Sequence, residues 1–127
     1  MTTYLLDTHA AIWFVTGDTR VSQAVRDAIR DPATDLLVSV VSGWEYMQKL
    51  ARKPDRLPLN IPFEMIVRRL QAQTIDLEYR QHTHAYTLPP LHHDPFDRML
   101  IAQAIDQGAV IMTRDHRVRQ YDVATLW

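Results

Sequence analysis

The chain has 127 residues, of which 46% are hydrophobic and 23% charged, which fits one globular domain and excludes disorder as its main state. The absence of cysteine excludes disulfide scaffolds, thiolate zinc sites and cysteine nucleophiles. Fourteen Lys and Arg against fifteen Asp and Glu give a net charge of −1. A basic coat for nucleic acid is therefore excluded, whereas a local basic patch is not.

Short apolar runs alternate with helical patterns along the chain, which predicts an α/β fold around a mostly parallel sheet. The predicted strands cover residues 4–6, 36–41, 74–77 and 109–113, with a short edge strand in the tail 118–127. The predicted helices cover residues 8–15, 22–30, 43–51, 63–71, 78–86 and 96–107. Two proline-rich segments, 52–62 and 88–95, are predicted loops.

We expect neither a secretory signal peptide nor a membrane-spanning helix in this chain. The N-terminal segment MTTYLLDTHAAIWFV has no basic n-region, and Asp7 and His9 interrupt its apolar run, so it does not match a signal peptide. The chain has no stretch of about 18 consecutive apolar residues, which a membrane-spanning helix needs. We therefore expect a cytoplasmic protein that has no contact with a membrane.

Four acidic residues lie where the predicted strands end or where the following helices begin. Asp7 directly follows the first strand, and Glu45 lies a short turn beyond the second. Asp115 lies just beyond the strand that ends at Thr113, and Asp97 opens the helix that leads into that strand. Because sites in open α/β sheets form beyond the carboxyl ends of the strands, we expect these four acids to converge at one edge.

Each acid also has an interpretation in local structure alone. Asp7 is suited to cap the helix that follows it, and Ser42 with Glu45 matches a capping box. The negative charge of Asp97 would interact favourably with the dipole of the helix that it opens. Asp115 could cap a short turn. Capping does not require an acid at every strand exit, however, and four converging carboxylates repel one another. Such all-oxygen clusters are usually held by Mg²⁺ or Mn²⁺.

Four segments of the sequence resemble the PIN-domain ribonucleases, specifically the VapC-type toxins of toxin–antitoxin pairs. The segments are LLDTHAAIWFV, VSGWEYMQKL, HHDPFDRMLIAQA and IMTRD, and they occur in the family's order and spacing over nearly the whole chain. The third segment is the most specific of them, whereas LLDTH alone would be a weak signal.

The resemblance implies a single PIN domain over residues 1–127, with a three-layer α/β/α architecture and a mostly parallel central sheet. It implies an endoribonuclease that uses a metal-activated water to cleave RNA phosphodiester bonds. Its catalytic and metal-binding quartet carries over to four positions: Asp7, Glu45, Asp97 and Asp115. The implied cofactor is Mg²⁺ or Mn²⁺. The implied partners are the RNA substrate, a VapB-type antitoxin and a second copy of the chain in a homodimer.

Other polar residues near the quartet are candidates for supporting roles. Asp94 matches a second acid of the DPFDR subgroup and is either a helix cap or a support for the metal ligands, as Thr113 also could be. Arg114 and Arg117 adjoin the expected site and are candidates for RNA phosphate contacts. Arg98 is predicted to steady a neighbouring carboxylate.

Three other functions remain alternatives. One is a catalytically silent PIN-like module that binds RNA or protein. A second is metal-independent ribonuclease chemistry through His9 or His116, although this would leave the four acids unexplained. A third is a phosphoacceptor switch, which needs paired acids after the first strand and a late lysine. The sequence has only Asp7 there, and no lysine after Lys53.

Two predicted helices carry apolar faces on either side of the first proline-rich loop. These faces either pack into the core or form a groove for an amphipathic antitoxin segment. The residues concerned are Trp44, Met47, Leu50, Phe63, Ile66 and Leu70.

Overall fold

The computed structural model describes residues 1–52 and 60–127, which form a parallel sheet covered by helices on both faces. The strands are β1 (Thr3–Leu6), β2 (Asp35–Ser39), β3 (Gln73–Ile75), β4 (Val110–Met112) and β5 (Thr125–Leu126). Their order across the sheet is β3-β2-β1-β4-β5, and every neighbouring pair is parallel. The predicted α/β fold with a mostly parallel sheet is confirmed.

Six α-helices cover this sheet in the described part of the chain. They are α1 (Thr8–Thr16), α2 (Gln23–Arg30), α3 (Val40–Arg52), α4 (Phe63–Leu70), α5 (Tyr79–Thr87) and α6 (Pro95–Gln107). None of the described helices is long and apolar enough to cross a membrane. Residues 53–59, most of the first predicted loop, lie outside the described residues.

The alternation of side chains along the strands divides the core into two layers. Leu6 of β1 and Met112 of β4 pack in one cluster, with residues of α1, α2 and α4. Leu5 and Ile111, each one position earlier on the same strands, pack in the other, with residues of α6. Because successive strand residues point to opposite faces, this arrangement produces the predicted three-layer α/β/α architecture.

The start of α3 differs from the prediction. The strand was predicted to run to residue 41, but β2 ends at Ser39 and α3 begins at Val40. The hydroxyl of Ser39 accepts a hydrogen bond from Val41 N at 3.0 Å, which satisfies one free amide of the helix start. A continuous buried apolar run does not by itself distinguish a strand from the first turn of a buried helix.

The turn between α6 and β4 follows the predicted stop signal. Gly108 has a φ of 62°, which belongs to the left-handed region that glycine adopts without a steric penalty. The following amide, Ala109 N, donates to Ala104 O at 2.9 Å. The chain therefore reverses directly from the helix that carries Asp97 into the strand that leads to Asp115.

Candidate active site

A cleft of about 840 Å³ opens at the carboxyl ends of the central strands, and all four predicted acids line it. Asp7 separates β1 from α1, and Asp115 follows β4. Glu45 lies in the second turn of α3, and Asp97 lies in the first turn of α6. The structure thus brings together side chains that are far apart in the sequence. The other cleft residues are His9, Trp13, Gln48, Lys49, Arg52, His93, Asp94, Pro95, Phe96, Arg114, His116 and Arg117.

Asp7 is buried and has both a capping role and a place in the cleft. Its Oδ1 accepts from Ala10 N at 2.7 Å, which caps α1. Thr113 also hydrogen-bonds to the Asp7 carboxylate, and its hydroxyl accepts from Asp115 N at 3.1 Å. Burial raises the pKa of Asp7 and the charge of Glu45 adds to this, although the two hydrogen bonds oppose the shift. The capping interpretation is therefore right for Asp7. Capping alone does not explain why Asp7 is buried beside other acids.

Glu45 is held by two side chains that sequence reasoning did not single out. Thr8 Oγ1 donates to Glu45 Oε1 at 2.6 Å, and Lys49 Nζ lies 2.9 Å from Glu45 Oε2. Lys49 was detectable as the i+4 neighbour of Glu45 on a helix. The capping-box interpretation is wrong, because Ser42 lies inside α3 and its buried hydroxyl has no hydrogen-bond partner among the described residues.

Asp97, like Asp7, carries charge that its surroundings in the cleft leave uncompensated. Burial raises its pKa, and the negative charges of Asp94, Asp7, Glu45 and Asp115 add to this, so that the pKa is about 8. A carboxyl with this pKa is largely protonated at neutral pH unless a cation compensates its charge. Desolvation and surrounding carboxylates therefore make Asp97 a position where a cation would be bound favourably.

Asp115 is the best compensated of the four acids. Burial raises its pKa, but hydrogen bonds from the backbone and side chain of Arg117 and from His92 outweigh this and lower the pKa overall. Arg117 N donates to Asp115 Oδ1 at 2.8 Å, and its guanidinium lies 3.3 Å from Asp115 Oδ2. Asp115 therefore does cap a short turn, as its local interpretation predicted. Arg117 is engaged with this acid, whereas Arg114 is exposed at the edge of the cleft.

Sequence reasoning also missed His92, which lies between two of the acids. Its Nε2 is 2.9 Å from Asp97 Oδ2 and 3.0 Å from Asp115 Oδ2, and its side chain is fully buried. These three ligand-type atoms all lie within 4.8 Å of one another. The available signal was its place in the HHDPFDR segment, two residues before Asp94.

Asp94 and Arg98 have structural roles at the start of α6. Asp94 Oδ1 accepts from Phe96 N at 2.9 Å, so it caps α6, with Pro95 as the first helical residue. The prediction that Arg98 steadies a carboxylate is wrong. Its guanidinium instead donates to backbone carbonyls at the end of α5 and in the loop that follows, including Ala85 O and Leu88 O, each at 2.8 Å.

The donor set of the cleft fits a divalent cation. Glu45 and Asp115 already have cationic partners in Lys49 and Arg117, whereas the pKa values of Asp7 and Asp97 are raised. Carboxylate oxygens are hard ligands, which suit Mg²⁺ and Mn²⁺ better than softer metals. A bound cation would relieve the charge that burial and mutual repulsion leave uncompensated.

Comparison with known proteins agrees with this arrangement. The model of the family described as PIN domain matches residues 4–124. The chain belongs to the PIN domain family. Over 124 residues this PIN domain is 34% identical to Ribonuclease VapC22 of Mycobacterium tuberculosis, covering 95% of this chain and 93% of the relative. PIN nucleases are generally dependent on divalent metal ions, in keeping with the acidic cleft.

Solved structures share the fold of this PIN domain at low sequence identity. VapBC2 of Rickettsia felis, bound to a DNA fragment from its promoter, superposes with a TM-score of 0.75 at 11% identity over 98% of each chain. Mycobacterium tuberculosis VapC20, described as a sarcin–ricin loop cleaving toxin, gives a TM-score of 0.64 at 13% identity over 95% of this chain and 96% of that one. These likenesses support the three-layer fold of the chain.

Proposed function

We propose that this PIN domain is an endoribonuclease and the toxin of a VapBC-type toxin–antitoxin pair. The observation that carries the proposal is the convergence of Asp7, Glu45, Asp97 and Asp115 in one cleft, with the pKa of Asp97 raised to about 8. The relative named Ribonuclease VapC22 supports RNA as the substrate. The four acids would bind one or two Mg²⁺ or Mn²⁺ ions.

The side chains around the quartet hold its carboxylates in fixed orientations. Ala10 N and Thr113 orient Asp7, while Thr8 and Lys49 take one oxygen each of Glu45. When bound, the divalent cation supplies a water of lowered pKa and polarises the scissile phosphate. Orientation matters because a nucleophile must approach the phosphorus opposite the leaving oxygen, and misplacement by about 1 Å costs roughly 100-fold in rate.

Cationic side chains at the edge of the cleft are suited to RNA. Arg52 and Arg114 are exposed and line the opening of the cleft. They place positive charge beside the negative charges of the quartet. The net charge of −1 means that such local cations must provide the attraction for phosphate. We assign to Arg114 a contact with RNA phosphate, and to Arg117 the additional task of neutralising Asp115.

An exposed apolar stripe on α3 is the surface that we assign to the antitoxin. Trp44 and Met47 are 64% and 48% exposed, and Val40, one turn earlier on the same face, is 51% exposed. Ile66 and Leu70, on the other predicted apolar face, are buried in the core. The stripe belongs to the helix that carries Glu45 and Lys49, so an antitoxin segment bound there would reach the cleft.

We also propose that the protein forms a homodimer, as the resemblance to VapC-type toxins implies.

The decisive experiment is cleavage of total cellular RNA by the purified protein, free of antitoxin, with and without EDTA. We expect cleavage that EDTA abolishes. Asp7→Asn and Asp97→Asn should each abolish cleavage and retain the native circular dichroism spectrum, because Asn keeps the shape but loses the charge that a cation needs. RNA binding without cleavage by the wild-type protein would instead indicate a catalytically silent module.

A further inference from the structure

The side chain of His92 lies between two members of the acidic quartet, Asp97 and Asp115. It lies in the loop that joins α5 to α6, and its ring is fully buried although the cleft beside it is open. The same Nε2 atom approaches Asp97 Oδ2 at 2.9 Å and Asp115 Oδ2 at 3.0 Å. A single ring atom therefore connects the first turn of α6 with the segment that follows β4.

The hydrogen bond on the other side of the ring fixes which nitrogen carries the proton. Asp94 N donates to His92 Nδ1 at 3.1 Å, so Nδ1 must present its lone pair. In a neutral imidazole the proton then lies on Nε2, and Nε2–H is the donor to Asp115 Oδ2, with Asp97 Oδ2 2.9 Å from the same atom. An Nε2 atom with its proton has no lone pair for a metal ion, so this geometry makes His92 a hydrogen-bond donor to Asp115 and not a metal ligand.

The loop that carries His92 is held rigidly. Tyr121 Oη accepts from His92 N at 2.9 Å and from Leu91 N at 3.1 Å, and it donates to Pro89 O at 2.6 Å. Arg98 Nη1 contacts Pro89 O at 3.0 Å and Tyr121 Oη at 3.2 Å. With its backbone and its Nδ1 both engaged, the ring cannot shift without breaking several hydrogen bonds.

We infer that His92 is a positioning residue, which holds Asp97 and Asp115 at the spacing that a divalent cation requires. The inference rests on the proposed metal-dependent function. Two carboxylates this close repel each other, and an N–H group within 3.0 Å of an oxygen of each offsets part of that repulsion. His92 contacts Oδ2 of each carboxylate, and Arg117 N donates to Oδ1 of Asp115, so Asp115 is held through both of its oxygens. Groups that orient metal ligands in this way typically contribute about 10–100-fold to metal affinity.

Two substitutions distinguish the contributions of the two ring nitrogens of His92. His92→Gln places an amide N–H near the Nε2 position and loses the Nδ1 acceptor. His92→Asn places an amide oxygen near the Nδ1 position and cannot reach the two carboxylates. His82→Asn, at an exposed position on α5, is the control for loss of a histidine elsewhere. Mn²⁺ binding is measured by isothermal titration calorimetry, and thermal melts in EDTA check that each variant folds.

If His92 positions the acids, His92→Asn weakens Mn²⁺ binding about 10–100-fold while His92→Gln retains most of it. His82→Asn should bind like the wild type. The inference is overturned if His92→Asn binds Mn²⁺ like the wild type, if both His92 variants lose binding equally, or if the wild type binds no Mn²⁺. These readouts need no RNA, so a protein that shows the expected difference but cleaves no RNA would overturn the proposed ribonuclease and leave this inference standing.

Discussion

Thr8 Oγ1 donates a hydrogen bond to Glu45 Oε1 at 2.6 Å, although the two residues are 37 positions apart in the sequence. The bond is buried, and it connects the first residue of α1 to the second turn of α3. Lys49 engages the other oxygen of the same carboxylate. Glu45 is therefore fixed from two sides before any substrate is bound.

The first prediction concerns this bond. Thr8→Val should reduce the rate of RNA cleavage by about 10–100-fold, because Glu45 loses the donor that orients it. Thr16→Val is the matched control, since the Thr16 hydroxyl donates to two backbone carbonyls within α1, Ile12 O and Trp13 O. Initial rates at saturating RNA measure the effect. Equal rates for Thr8→Val and Thr16→Val would show that Glu45 needs no such orientation.

The second prediction concerns pH and the stability of the cation-free protein. Because the pKa of Asp97 is raised to about 8 in the fold from 3.8, the protonated side chain favours the folded state. This contribution is full below about pH 4 and is lost as the pH rises through about 8. In EDTA, the wild type should therefore lose stability relative to Asp97→Asn between pH 5 and pH 8.5.

Thermal melts of both proteins across this pH range measure the effect. We expect the difference in Tm to change by on the order of 5 °C, with Asp97→Asn the more stable protein at the alkaline end. Added Mg²⁺ should reduce the deficit of the wild type, because the cation compensates the charge of Asp97. Parallel Tm curves for the two proteins in EDTA would contradict the raised pKa.

The third prediction concerns the ends of the cleaved RNA. A water activated at a metal site leaves a 5′-phosphate and a 3′-hydroxyl, and we expect Mg²⁺ or Mn²⁺ to support this reaction. Ca²⁺ should not replace them, because it takes more ligands at longer distances and does not align the attack. Mapping of the cut ends, with each cation in turn, tests both points.

The same assay tests the alternative that uses histidine. His9 and His116 both lie exposed in the cleft, where they could exchange protons with the RNA. Chemistry based on these residues would proceed in EDTA and leave a 2′,3′-cyclic phosphate. Cyclic phosphate ends in EDTA, together with undiminished cleavage by Asp115→Asn, would refute the metal-dependent mechanism.

The fourth prediction concerns the antitoxin surface. Trp44→Glu should weaken binding of the cognate antitoxin by at least about 10-fold, since a charge replaces a large exposed apolar side chain at the proposed interface. Cleavage of RNA in the absence of antitoxin should continue. Tyr86→Glu, at an 85% exposed position on α5, is the control and should bind the antitoxin normally. Unchanged binding by Trp44→Glu would place the antitoxin elsewhere.

The sequence by itself determined the features that depend on residues close together along the chain. The apolar runs predicted the parallel strands, and Gly108 predicted the end of α6. Strand exits in a parallel sheet lie at one edge, so Asp7 and Asp115 could be placed together before any distance was known. The same argument placed Glu45 and Asp97 near this edge, and the resemblance to PIN domains then implied that the four acids form one metal-binding quartet.

Only the tertiary structure decided how the acids are held. Whether Thr8 reaches Glu45, or His92 lies between Asp97 and Asp115, depends on how separate elements pack, and no local pattern encodes these distances. Arg98 illustrates the limit, because a cation beside acids in sequence was expected to pair with one of them and instead donates to backbone carbonyls at and beyond the end of α5. Local sequence sets the conformation of each element, whereas desolvation and hydrogen-bond partners arise only once the elements are packed together.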